Sequence, residues 1–97
     1  MPSREVYLKP LRWSAHALKN LSDREIPRAE AEKTLADPEA VSPASSSRQF
    51  SMRRYFDERF QREMLVRALV GETAEERVVI TVYITSKIGK YMREAAP

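Results

Sequence analysis

The chain has 97 residues, 42% of them hydrophobic and none of them cysteine, which suits one domain core and excludes disulfides, thiolate metal sites and cysteine nucleophiles. Its net charge is +3, and the excess lies in the second half: residues 1–47 hold seven basic and seven acidic side chains, residues 48–97 ten and seven. Such a balance attracts nucleic acid or an acidic partner, and it equally serves solubility.

Residues 1–97 read as a single domain with a core over 12–93. The N-terminus has no apolar stretch of signal type, and no uncharged apolar run approaches the ~20 residues that span a bilayer. The expectation is a cytoplasmic protein without a membrane partner.

In chain order, Val6, Leu8 and Leu11 suggest a short first strand interrupted by Pro10, which cannot donate to a ladder. Ser14 reads as the N-cap of a helix over Ala15–Leu21. Leu18 and Leu21 would face inward, and His16, Lys19, Asn20 and Asp23 outward. Pro27 at the first helical position opens a second helix, with Ala31, Thr34 and Leu35 as its apolar stripe and Asp37-Pro38 as its stop. Ser42–Ser47 is polar and proline-containing, and is expected to be a flexible loop.

From Gln49 to Phe56 the chain alternates, with Phe50, Met52 and Phe56 on one face and Ser51, Arg53 and Tyr55 on the other. Met64–Val70 and Val78–Thr85 are rich in aliphatic residues on both faces, as central strands covered on two sides are. The tail Ser86–Met92 suggests a last turn or short helix. The fold class expected is α+β: two N-terminal helices packed on an antiparallel sheet of three to four strands.

Several residues can carry chemistry. His16, the one histidine, permits acid–base work near neutral pH, or serves as a surface residue. Arg48, Arg53, Arg54, Arg59, Arg62 and Arg67, interleaved with Tyr55 and Phe56, suit phosphate clamping and base stacking in single-stranded RNA. The bland alternative is an edge strand protected by charge, which would also permit a homodimer through Arg48–Phe56. Arg67 stands inside an apolar strand, where it either pairs with Glu63 or Glu72 or opens onto a functional cleft. Tyr83 would share its surface if the hairpin register allows. Lys87, Lys90, Tyr91 and Arg93 in the tail can neutralise a phosphate-centred transition state and donate a proton, or simply be solvated. No spacing of ligands marks a metal site, and two glycines leave no phosphate loop, so no cofactor is expected.

The segment Trp13–Ile26, with His16 followed eight residues later by Arg24, the stretch Glu32–Val41 with its Asp37-Pro38 stop, and Val79–Tyr83 together resemble a small bacterial domain family of unknown function. That family is related to the BrnT toxins, which resemble the RelE-like ribonucleases of toxin–antitoxin pairs. The family's arginine after the histidine-alanine-leucine start appears here as Lys19-Asn20, and its helix-starting polar residue as Pro27. The resemblance implies a RelE-like fold, metal-independent cleavage of ribosome-associated mRNA or another RNA by attack of a 2′-hydroxyl, and restraint by a cognate antitoxin. His16 and Arg24 match its helical signature and Tyr83 its strand signature. The chemistry of the side chains adds Arg67 and Lys87 as catalytic candidates, and Arg53, Arg54, Tyr55, Lys90 and Tyr91 as RNA-binding ones. The alternative is a non-catalytic protein- or RNA-binding module.

Overall fold

A computed structural model describes residues 9–95. The elements run β1 (Leu11–Trp13), α1 (Ala15–Asp23), α2 (Arg28–Ala36), β2 (Ala40–Ser45), β3 (Arg48–Asp57), β4 (Arg62–Glu72), β5 (Arg77–Thr85) and α3 (Ile88–Ala95). The strands form one sheet in the order β1-β5-β4-β3-β2, with β1 parallel to β5 and the remaining neighbours antiparallel.

The class is α+β, but the expected arrangement of two leading helices on a three- to four-stranded antiparallel RelE-like sheet is corrected. A strand precedes the helices, and the sheet has five strands and is mixed. Pro10 does not interrupt β1, because the strand begins after it and the Pro10 carbonyl accepts from the Arg77 amide (2.9 Å). The expected start at Val6 and Leu8 lies outside the described residues. The supposed loop 42–47 is largely strand β2, and only Ser46 and Ser47 form the turn into β3. An edge strand tolerates Pro43, whose missing N–H faces no partner, and the register shifts between Pro43 and Ser45. With β2 in place, residues 48–52 of β3 are paired on that side.

Helix α1 starts as expected: the Ser14 hydroxyl accepts from the Ala17 amide (3.0 Å) and donates to the Ile80 carbonyl (3.1 Å). Its inner face differs from the expectation. Ala17 and Leu21 are buried while Leu18 is exposed, and Asn20, expected outside, is buried. The chain turns at the end of β1, leaving the next amide of β5 without a strand partner. Asn20 Oδ1 fills that gap, accepting from the Val82 amide (3.0 Å) and the Thr81 hydroxyl (2.7 Å). Helix α1 ends in a Schellman motif: Glu25 adopts φ 53°, the Ile26 amide donates to the Leu21 carbonyl (2.9 Å), and the Glu25 amide to that of Ser22 (3.3 Å). Leu21 and Ile26, the apolar pair such a cap brings together, both enter the core.

Pro27 is the N-cap of α2 rather than its first residue, and Ala31, Thr34 and Leu35 are buried as expected. Both helices lie on one sheet face, against Tyr55, Met64, Val66, Ala68, Val70, Val79 and Val82. Isolated nine-residue helices are marginal in water, so this burial is what keeps them folded. Strands β4 and β5 are the central strands expected from their two-sided apolar pattern. A bulge at Ile80 shifts the β4–β5 register, pairing Leu69 with Thr81 and Val70 with Val79. A Cβ at Gly71 would stand 3.0 Å from Ile80 Cδ1, so the glycine makes room for the bulged side chain.

Helix α3 lies across the opposite sheet face and reaches β2. Ile88, Tyr91 and Met92 are half-buried along one of its sides, while Gly89, Lys90 and Arg93 face solvent. No helix among the described residues is long and apolar enough to cross a membrane.

Candidate nucleic-acid interface

The alternation of β3, β4 and β5 places Phe50, Met52, Arg67 and Tyr83 on the face beneath α3. Met52 pairs with Arg67, and Arg67 with Tyr83, in the ladder. The conjectured neighbourhood of Arg67 and Tyr83 is therefore real. Arg67 is buried, and among the described residues it pairs with neither Glu63 nor Glu72, which corrects the expected carboxylate partner. Glu72 is taken by Lys9 (2.7 Å).

Arg67 instead sits in an aromatic box. Its guanidinium carbon lies 3.9 Å from the Phe50 ring centre, 4.0 Å from that of Tyr91 and 5.6 Å from that of Tyr83. It donates to the Tyr83 hydroxyl, and its Nε to Met52 Sδ (3.2 Å). Ring faces attract the cation without a formal countercharge, which makes a buried arginine tolerable here. Burial pushes the Tyr83 phenol above its ordinary range, against the opposing pull of Arg67, and a hydrogen bond with Tyr91 pushes in the same direction as burial. Tyr83 is thus held protonated at neutral pH.

Around this box the cations are unneutralised. Among the described residues, Arg48, Arg67, Lys87, Lys90 and Arg93 enter no ion pair with a carboxylate. Lys87 leads into α3: its amide is held by Thr85 Oγ1 (3.1 Å) and its carbonyl accepts from the Tyr91 amide (3.4 Å). Lys90 Nζ stands 5.1 Å from the Tyr91 ring. Arg48 shares the sheet face with Phe50 and borders a cleft of about 580 Å³ lined by Ser45–Ser47, Gln49, Glu72 and Thr73.

The other expected site residues lie elsewhere and are occupied. His16 is exposed on α1, across the sheet from Arg67, and its side chain joins no hydrogen bond among the described residues. Arg24 donates to the Val82 carbonyl (2.8 Å), tying the end of α1 to β5. Arg53 pairs with Glu30 (3.3 Å) on the α2 side. Arg54 grips Glu39 through its side chain (2.8 Å) and its amide (2.7 Å), and these bonds pull Glu39 down to about 2. Tyr55 is buried in the core, and its hydroxyl donates to Asp57. The expected constellation therefore separates: Arg67, Tyr83, Lys90 and Tyr91 come together, Lys87 stands at the start of the helix that carries Tyr91, and His16, Arg24, Arg53, Arg54 and Tyr55 do not join them. Phe50 and Met52 complete the box and were expected only as core. Placing the β3–β4 turn at Glu58–Gln61 would have set Met52 opposite Arg67 from sequence alone. No group of three histidine, aspartate or glutamate side chains among the described residues is placed to hold a metal ion.

Comparison with known families gives one match, over residues 13–84, to a domain of unknown function, DUF4258. The chain belongs to the DUF4258 family. The matched span runs from the end of β1 almost to the end of β5, so it carries both Arg67 and Tyr83, whereas α3 with Lys87, Lys90 and Tyr91 follows it. No curated protein and no solved structure matches the chain.

Proposed function

We propose that this DUF4258 domain is an RNA-directed, toxin-like protein that engages the phosphodiester backbone through the α3 side of its sheet. The reading rests on one observation above all: Arg67 carries a full charge into the sheet without a carboxylate partner among the described residues. Buried charges are costly, and a fold that keeps one without its counter-ion has a use for it. A phosphate is the anion that arginine binds with best geometry, and Lys87, Lys90, Arg93 and Arg48 surround the position with further positive charge.

The reaction this set suits is metal-independent cleavage by an adjacent ribose 2′-hydroxyl. Arg67 would neutralise the charge that builds on phosphorus oxygens, and Tyr83, held protonated, would give a proton to the leaving 5′-oxygen. The resemblance of Trp13–Ile26 and Val79–Tyr83 to a domain family related to the BrnT toxins points to the same reading. It adds a cytoplasmic setting and a cognate antitoxin to the proposal.

A second reading, an RNA-binding module without turnover, is favoured by a specific feature. The acid at Arg67 has no base beside it, since His16 lies across the sheet. Controlled expression in bacteria separates the two, with growth, RNA integrity and binding of a labelled single-stranded RNA compared between wild type and Arg67→Met. Growth arrest with RNA fragments, lost in the folded variant, supports cleavage. Salt-sensitive binding without fragments supports the module. Folded wild-type protein that neither binds nor cleaves RNA refutes both.

A further inference from the structure

We propose that α3 is a lid over an RNA site, and that its Tyr91 ring holds the place an unpaired base takes once the helix lifts. The inference rests on the reading of Arg67 as a phosphate ligand and carries it further. Arg67 is only 6% exposed, too buried to receive a phosphate until one of its neighbours moves. The ring that α3 brings to it lies 4.0 Å from the guanidinium carbon, as near as the 3.9 Å of Phe50 from the sheet. Unpaired bases of single-stranded RNA stack on guanidinium planes, so Tyr91 is a stand-in of the right shape.

Packing decides which neighbour moves. The apolar core cluster ties α1 and α2 to the other sheet face and, among the described residues, takes none from α3. That helix is eight residues long, too short to be stable alone, and follows β5 after only Ser86 and Lys87. Ile88, Tyr91 and Met92 seat it on the sheet, each only half-buried. Elements with so little burial are the ones that open locally. Phe50 and Tyr83, in contrast, belong to strands β3 and β5, and their rings meet edge to face with centres 6.5 Å apart. They keep their places without Tyr91. Lifting α3 therefore spares the core and uncovers two rings and a cation on a sheet, the composition on which single-stranded bases stack.

The outer side of α3 supplies the drive. Lys90 and Arg93 face solvent, Lys87 stands just before the helix, and none enters an ion pair among the described residues. The closed protein offers RNA these cations alone, and the open one adds Arg67 and the stacking rings. A ligand shifts a population only towards the state it binds better, and here that state is the open one.

The test uses the full chain and a labelled single-stranded oligouridine decamer, with the same decamer annealed to its complement as control. Affinity is read by anisotropy, and amide hydrogen exchange is followed with and without RNA. Tyr91→Ala, which favours the helix and removes the ring, is expected to bind the single strand about tenfold tighter than wild type, the worth of one such ring contact. The duplex should gain little, and Tyr91→Phe, which keeps the ring, should bind as the wild type does. In the wild type, RNA should speed exchange in α3 while Met64–Val70 stays protected. Weaker binding by Tyr91→Ala would make Tyr91 a stacking residue in its own right and overturn the proposal. An equal gain for the duplex, a Tyr91→Phe variant as tight as Tyr91→Ala, or α3 amides that RNA protects further would overturn it too. Binding lost in Arg67→Met but indifferent to Tyr91→Ala sinks the lid and leaves the RNA-directed reading standing. A decamer bound by neither wild type nor Tyr91→Ala sinks both.

Discussion

Replacing Arg67 by methionine distinguishes a charge kept for function from one kept for packing. Three ring contacts at 3.9, 4.0 and 5.6 Å hold the guanidinium. Cation–π contacts contribute about 0.5–2 kcal/mol each, so truncation to alanine, which also empties the space beneath Tyr91, should destabilise the fold by about 3 kcal/mol or more. Methionine has a similar reach, its sulfur gains about 0.3–1.5 kcal/mol against aromatic rings, and it needs no desolvation of a charge. Uncharged replacements of buried ions are often neutral, so Arg67→Met is expected within about 1 kcal/mol of wild type. Urea unfolding at pH 7, followed by circular dichroism for the wild type, the alanine variant and the methionine variant, gives the three numbers. A methionine variant as unstable as the alanine one would mean that the charge itself holds α3 on the sheet. The case for Arg67 as a phosphate ligand would then lose its foundation.

Other substitutions test the architecture. Glu25 occupies the left-handed position of the Schellman cap that glycine prefers, so Glu25→Gly should raise stability by about 0.5–1 kcal/mol in thermal unfolding, and a loss would refute the cap. Asn20→Leu keeps the volume but leaves the Val82 amide and Thr81 hydroxyl without their acceptor, and should cost about 2–3 kcal/mol in urea. Glu39 is depressed to about 2 by its bonds to Arg54, so its contribution is complete above about pH 4.5 and is lost as pH falls towards 2. The pair is partly exposed, which limits the loss to about 1 kcal/mol, and Glu39→Gln should flatten that part of the acid unfolding profile.

The central strands, both early helices, the Ser14 cap and the Asp37-Pro38 stop were legible because each rests on a local rule: apolar density, a hydroxyl at a helix start, proline geometry. What stayed hidden depended on partners far along the chain. β1 is three residues long and exists only because β5 runs beside it, and β2 reads as a loop because serine and proline make a poor strand except at an edge. Asn20 looks like a surface residue until the open edge of β5 is known. The same holds for the site. Arg67 was named from chemistry and Tyr83 from a strand signature, and the hairpin register joined them. His16 and Arg24 were named from a helical signature, and the sheet sets His16 apart from Arg67 while Arg24 is spent on a backbone carbonyl.

The pairing of β1 with β5 joins the two ends of the domain, Trp13 to Val79, with almost the whole fold between them. Loops of that length close slowly, and the β3–β4 hairpin, whose strands meet across four residues, forms far sooner. As the chain leaves the ribosome, α1 emerges early but has no Val82 amide to receive until β5 has followed it. Helix α1 is therefore made before the β3–β4 hairpin but docks after it. Pulsed hydrogen exchange during refolding should show protection at Met64–Val70 well before the Val82 amide, which bonds Asn20, and simultaneous protection would refute this sequence of events. A nascent chain stopped before β5 has a formed hairpin on which α2 can pack and an α1 without its strand, so the basic face on the far side of the sheet is completed only when the last strand arrives.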